Sequence, residues 1–256
     1  MARRTGASGG PLNDRGGFLR WVELDDATPE RGYPYDLPVV AALRAAGRWD
    51  LDPAVTFLIG DNGTGKSTLV EAVAVAAGFN PEGGSVHFRF ATRETESELG
   101  QYLRLVRGVR KPRTGFFLRA ESFYNVATEI EVLGDLGPYG KRSLHERSHG
   151  ESFLALAVHR FGPRGLYLLD EPESALSVHG CLALLARMVD LVNEGSQFIV
   201  ATHSPILLAC PGAVIWQIDG DGTLHRVDYD DADPVRMHRD FLADPGRYLH
   251  HLLRDD

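Results

Sequence analysis

The chain has 256 residues, 43% of them hydrophobic and 24% charged, with a formal net charge of −8. That length supports one substantial core, and the acidic balance excludes a molecule built as a whole to coat nucleic acid or an acidic membrane. No apolar run reaches the roughly 18 residues that span a bilayer, and Cys181 and Cys210 read as buried free thiols of a reducing, cytoplasmic compartment.

In chain order, residues 1–17 (MARRTGASGGPLNDRGG) read as a flexible leader, and 18–256 as a single domain. GFLRWVELDD predicts a strand, LPVVAALRAAGRWDL a short helix, and AVTFLIG a strand of β-branched and aromatic residues. KSTLVEAVAVAAGF predicts a helix closed by Gly78. Between about 85 and 120 the text changes to short alternating runs, SVHFRFATRE, QYLRLVRGV and TGFFLRAE, which predict an antiparallel, basic insertion. A helical pattern at 122–133 and a Gly/Pro-rich loop at 134–140 follow, within a helical region of about 122–162. GLYLLDE and SQFIVATHS then read as buried strands around the amphipathic helix GCLALLARMVDLVNEG. AVIWQIDGDGTLHRVDY predicts a hairpin about Asp221-Gly222, and residues 219–256 a solvated C-terminal cap. Strand, helix, strand in this order implies an α/β fold, a mostly parallel sheet flanked by helices, with an antiparallel β patch added.

GDNGTGKST fits G-x-x-x-x-G-K-[ST] between a strand and a helix. Its glycines let backbone N–H groups of Gly60, Asp61, Asn62, Gly63, Thr64 and Gly65 face a phosphate, and the next helix adds its N-terminal dipole. Lys66 can reach the β- and γ-phosphates, Ser67 can ligate Mg2+, and Thr68 can bond the α-phosphate region. Downstream, an apolar strand ends on Asp170 and Glu171. A carboxylate there can hold Mg2+ through water, and its neighbour can polarise an attacking water. One strand later, His203 stands at another strand end, 32 residues past Glu171, placed to touch a γ-phosphate.

The pentapeptide Ser148-His149-Gly150-Glu151-Ser152 precedes a helical pattern. It does not fit the hydrolase turn G-x-S-x-G, because Phe153 and Leu154 follow. A metal site at His145, Glu146 and His149 lacks further ligands. A Ser-x-Gly-acid turn opening a helix is an anion-binding geometry.

In this order the phosphate loop, SHGES, LYLLDEPESALS and ATHSP resemble the ABC-type ATPases, closest to their soluble AAA-type and SMC/RecF-like branch, over roughly residues 55–205. The resemblance makes GDNGTGKST the Walker A loop, LYLLDE the Walker B strand, SHGES the signature loop, ESALS the D-loop and His203 the switch histidine. It implies ATP and Mg2+ as cofactors, with catalysis by Glu171, His203 and Lys66. Two copies would sandwich ATP head to tail, with Ser148, His149, Gly150 and Glu151 acting in trans. His149 stands where the first signature glycine is usual, Arg147 where leucine is, and Ser177 where the D-loop aspartate is. No Q-loop glutamine is evident; Ala120 and Glu121 lie nearest its position, and Glu121 is the further candidate on Mg2+ or water. Tyr33 and Tyr35 are candidates to stack on adenine, and equally candidates for packing.

Residues 101–119 hold six Lys or Arg and no acid. Arg104, Arg107, Arg110, Lys111 and Arg113 therefore fit a nucleic-acid-facing patch, a solvated hairpin, or a docking surface for an acidic partner. The leading expectation is a soluble ATP-driven switch, acting on nucleic acid or in a repair or defence system. The alternatives are the ATPase subunit of a membrane transporter and a nucleotide-binding module with little turnover.

Overall fold

The computed structural model describes residues 16–81, 83–85, 98–120 and 149–253. Strands β1 (Leu19–Leu24) and β2 (Trp49–Asp50) flank helix α1 (Pro38–Ala46) in sequence. Strand β3 (Val55–Gly60) runs into α2 (Lys66–Ala77); β4 (Leu103–Arg107) and β5 (Thr114–Arg119) follow. Helix α3 (His149–Arg160) leads to β6 (Gly165–Asp170), α4 (Val178–Asn193), β7 (Gln197–Ala201) and the single turn α5 (Pro205–Leu208). Strands β8 (Val214–Ile218) and β9 (Leu224–Val227) form the expected hairpin, and α6 (Asp233–Ala243) and α7 (Pro245–Leu252) close the described chain.

The main sheet has six strands in the order β5-β6-β7-β3-β8-β9, all neighbours parallel except the last pair. A second, three-stranded antiparallel sheet has the order β2-β1-β4. TGFFLR was expected in the antiparallel patch and is instead β5, the parallel edge strand of the main sheet. Gly115 to Leu118 are all buried, as a strand covered on both faces requires. Among the described residues, QYLRLVRGV contributes to the antiparallel sheet as expected, through β4. The run SVHFRFATRE beyond Ser85, the helical pattern at 122–133 and the loop at 134–140 lie outside the described residues.

Alternation along the strands feeds two cores, one on each face of the main sheet. Phe57, Ile59, Tyr167, Leu169, Phe198 and Val200 face α3 and α4, meeting Phe153, Leu156, Leu184 and Met188. Leu58, Leu168 and Ile199 face the other way, onto Leu69, Val70 and Val73 of α2 and Val39 and Leu43 of α1. Helix α4 buries Cys181, Leu184, Met188 and Leu191, one stripe at helical spacing. Helix α2 ends where Gly78 takes φ 100°: its N–H and that of Phe79 bond back to Val75 and Ala74 at 2.9 Å, and Phe79 is buried over the end.

Gln197, fully buried, joins the two sheets. Its carboxamide accepts from the Leu19 amide at 2.9 Å and donates to the Leu19 and Asp52 carbonyls at 2.7 and 2.9 Å. Replacing it with an apolar side chain leaves these buried backbone groups without partners. Gln197→Leu is expected to cost about 2 kcal/mol, read by calorimetry as a melting temperature lower by on the order of 4–8 °C.

Candidate functional site

The C-terminal ends of β3, β7, β6 and β5 meet along one edge of the sheet, and the loops leaving them carry most of the candidate residues. The parallel register places Arg119 beside Asp170, Asp170 beside Ala201, and Ala201 beside Leu58.

The Gly-rich turn follows β3. Gly60, Gly63 and Gly65 have φ values of 151°, 82° and 91°, a backbone that side chains disfavour. A Cβ on Gly60 would fall 2.7 Å from the Ile218 carbonyl oxygen, and one on Gly65 2.8 Å from Val39 Cγ1. The loop is therefore a cradle of bare backbone opening onto the start of α2. Thr64 closes it from within, its hydroxyl donating to the Asp61 carbonyl at 2.8 Å, while the Val39 amide ties α1 to the Thr64 carbonyl at 2.9 Å. Ser67 and Thr68 are half-buried on the first turn of α2.

Lys66 is 3% exposed, and its Nζ donates to the carbonyls of Gly60 and Asp61 at 2.8 and 2.9 Å. An ammonium has three N–H bonds, so one remains for an anion entering the cradle. Burial lowers the Lys66 pKa from its ordinary value, and the carboxylates of Glu171, Asp170, Asp61 and Glu173 act against that shift. One buried cation thus sits in the field of four acids.

Asp170 ends β6 at 5% exposure, with its Oδ2 3.5 Å from Arg119 Nε. Arg119 also holds Glu71 of α2, linking edge strand, acid and helix. Glu171 comes next at φ 46°, a left-handed backbone that costs a non-glycine residue on the order of 1 kcal/mol. Its amide donates to the Ala201 carbonyl at 2.9 Å, so the turn is fixed to β7 while the side chain stays partly open. Glu171 Oε1 lies 3.7 Å from His203 Nε2. That gap exceeds a hydrogen bond, and the buried Nε2 has no hydrogen-bond partner among the described residues. Glu173 Oε1 accepts from the His203 amide, and its buried Oε2 likewise has no such partner. Burial, then the neighbouring Lys66 charge, lower the His203 pKa, against the pull of Glu171, Glu173 and Asp61. The imidazole is neutral at pH 7.

Ser148 and Glu121 are outside the described residues, as are His145 and Glu146. His149 and Gly150 begin α3. A Cβ on Gly150 would fall 2.9 Å from the Ala175 carbonyl oxygen, so only glycine lets α3 start so close to the turn after Glu171. Gly150, Glu151, Ala175, Leu176, Ser177 and His179 line an open cavity of about 380 Å3. Ser177, at the D-loop aspartate position, caps α4: its hydroxyl accepts from the Gly180 amide at 3.2 Å.

Other candidates separate by burial. Tyr35, 6% exposed, packs edge-on against Tyr102 at 5.6 Å, so it is a packing residue; Tyr33 is 79% exposed. Arg104 pairs with Asp25 at 3.1 Å and lies 4.0 Å from Glu23, and Arg107 donates to the Ala76 carbonyl at 3.4 Å. Only Arg110, Lys111 and Arg113 of the basic run share one cavity, at the other end of the sheet. Arg104 and Arg107 lie in β4 of the smaller sheet whereas Arg113 leads into β5 of the larger one, so the run forms no single basic face. Sequence reasoning also passed over Glu173, two residues beyond Glu171, and over Arg119, whose closeness to Asp170 depends on a β5–β6 pairing that no local pattern reveals.

Residues 139–209 match the family model described as "AAA domain", a description that also names the AbiEii toxin of a Type IV TA system. The "Cytochrome c biogenesis ATP-binding export protein CcmA" of Rhodopseudomonas palustris (strain BisB5) is 30% identical over 162 residues, covering 59% of this chain and 79% of that protein. The "Chromosome partition protein Smc" of Methanocaldococcus jannaschii is 29% identical over 140 residues, covering 43% of this chain and 12% of that protein. This chain thus spans a small part of the length of that relative. Among solved structures, the SMC head domain from Thermotoga maritima aligns at 15% identity with a TM-score of 0.43, covering 82% of this chain and 98% of that one. No helix among the described residues is long and apolar enough to cross a membrane.

The depressed His203 pKa has a stability consequence. The unfolded chain protonates this imidazole at about 6.5, the folded chain only at lower pH. The stability it contributes is complete above pH 6.5 and is lost as pH falls through the folded value. Thermal melts of parent and His203→Gln between pH 7.5 and 5 are expected to diverge below pH 6.5, the variant losing less.

Proposed function

The chain belongs to the P-loop ATPases of the ABC and SMC type, and on that premise we propose that it binds ATP with Mg2+ and hydrolyses it at a head-to-tail interface between two copies. The observation that carries the reading is the meeting of Glu171 and the neutral His203, 3.7 Å apart, beside the buried Lys66 and the glycine cradle. When bound, Mg-ATP supplies the phosphoric anhydride to be cleaved and the divalent charge that offsets the surrounding carboxylates. Open backbone N–H groups of the Gly-rich turn and the free N–H of Lys66 would hold the phosphates, the Thr64 amide already donating to the Asp61 carbonyl at 3.3 Å. Ser67 and Asp170 are the residues to hold the metal. Glu171 accepts a proton from the attacking water, and its carboxylate and His203 Nε2, 3.7 Å apart, are close enough for one water beside them to bond to both. Glu173 holds the His203 backbone so that the imidazole keeps its place. Catalysis on this reading is positioning and charge neutralisation.

Gly150 packs on Ala175, and the charges around Lys66 come from residues 61, 170, 171 and 173 of other loops. On this reading the Ser-x-Gly-acid turn at 148–151, which adds none of those charges, acts on the nucleotide of a second copy, as the ABC-type resemblance implies. ATP-dependent closure and hydrolysis-dependent opening then make the protein a switch. The Smc relative, a chromosome partition protein, supports an output on nucleic acid, and the AAA-domain match, with its toxin–antitoxin description, a defence setting. A cytoplasmic location accords with two free, buried cysteines. The CcmA relative favours a second reading, the ATP-binding subunit of an exporter whose membrane part is another chain; recovery of the protein with membranes would decide for it.

Glu171→Gln is expected to lower ATP turnover at least about a hundredfold and to accumulate a dimer on sizing with Mg-ATP, which Ser148→Arg abolishes. A Glu171→Gln protein that binds ATP yet stays monomeric contradicts the sandwich. Glu173→Ala, which frees the His203 amide, is expected to lower kcat about tenfold to a hundredfold with little change in KM, as loss of a positioned group predicts.

A further inference from the structure

The strands that carry the ATP site at one end carry a second cluster at the other. Arg113 immediately precedes β5, Arg164 precedes β6, Ser196 precedes β7 and Ala54 precedes β3. These residues, with Arg110 and Lys111, line a cavity of about 530 Å3 whose apolar wall includes Phe18 and Val192. Six-residue strands rise about 20 Å, so the cavity is remote from the Gly-rich loop.

We propose that this cavity is a second anion site, built for a phosphorylated ligand of nucleotide size. Arg110, Lys111, Arg113 and Arg164 are all exposed, and none forms an ion pair among the described residues. Four other arginines of the fold carry ion pairs: Arg48 with Asp50, Arg104 with Asp25, Arg119 with Glu71 and Asp170, Arg239 with Asp230. Acids outnumber bases 35 to 27, so four unpaired cations around one cavity are not a shortage of carboxylates. Like charges gathered this closely repel, and an anion between them relieves the repulsion.

The local backbone holds them together. The Arg113 amide donates to the Arg164 carbonyl at 2.9 Å, extending the β5–β6 ladder and setting the two residues side by side. Arg164 does this at φ 55°, a left-handed conformation that glycine would adopt without strain. Three of the four cations are arginines, whose planar fork matches phosphate oxygens two at a time. The volume falls in the range of small-molecule sites, and the apolar wall suits a base or sugar better than an extended acidic peptide. The ligand class is therefore a nucleotide unit, either free or at the end of a strand.

The test uses the full chain carrying Lys66→Ala, which silences the Gly-rich loop, so its failure leaves the ATPase reading untouched. Two probes are titrated by calorimetry at low salt: uridine 5′-monophosphate and a 5′-phosphorylated single-stranded octanucleotide. At least one is expected to bind, with affinity reduced tenfold or more by Arg113→Ala together with Arg164→Gly, and unchanged by Arg104→Ala. Arg164→Gly removes the guanidinium and the backbone strain at once, and a melting curve equal to the parent's shows that the variant pair is folded. For the octanucleotide, the log–log salt dependence is expected to flatten by about one to two in the variant pair. Binding of the monophosphate alone identifies a free nucleotide; tighter binding of the octanucleotide, competed by the monophosphate, identifies a strand end. The proposal is overturned if neither probe binds, if the folded variant pair binds as the parent does, or if a hexaglutamate peptide binds more tightly than both probes and displaces them.

Discussion

Parallel pairing of β5, β6, β7 and β3 is the constraint on which the rest of the molecule depends. Strands that run the same way must end at the same edge, so the loops that leave them are neighbours in space whatever their separation in sequence. Lys66, Asp170, Glu171 and His203 meet because Leu58, Ala201 and Asp170 lie in register across two ladders. The same rule gathers the preceding residues at the opposite edge, where Arg113 and Arg164 become neighbours. One backbone arrangement thus creates two charged ends of contrary sign: acids around one buried lysine, and unpaired cations around an open cavity.

Burial sets the chemistry of the acidic end. Lys66 is kept from water yet faces four carboxylates, so its charge is opposed by desolvation and sustained by its neighbours. His203 receives the opposite treatment, burial and a nearby cation both favouring the neutral ring. Glu171 sits in a strained left-handed turn anchored to β7, with its carboxylate toward that ring. A charged, acceptor-only group beside a neutral imidazole is an arrangement that orients a water rather than a second cation. Glu173 adds rigidity from the backbone side, where an apolar residue would leave the His203 amide unsatisfied.

Much of this was legible without coordinates. The G-x-x-x-x-G-K-S-T spacing, the strand ending on Asp170 and Glu171, and the helix closed by Gly78 are local patterns, and local patterns survive in one dimension. TGFFLR was misplaced because an apolar run of that length reads the same in an antiparallel patch and at the edge of a parallel sheet; the partner decides, and the partner is β6, which begins at Gly165, beyond the end of TGFFLR at Arg119. The basic run failed as a single face for a related reason: Arg104 and Arg107 belong to β4 of the smaller sheet, while Arg113 leads into the larger one.

The sequence by itself determined the alternation of strand and helix, the anion-binding loop, and the residue types able to hold a metal and activate water, because each is encoded by spacing within a few residues. Tertiary structure alone decided which of them meet. It put Arg119 on Asp170, Glu173 on the His203 backbone, Gly150 against Ala175, and Gln197 between the two sheets. It also separated Tyr35, which packs, from Tyr33, which is exposed. These are contacts between segments far apart in the chain or between groups whose burial no local pattern states, and only the closing of the sheet brings them within reach.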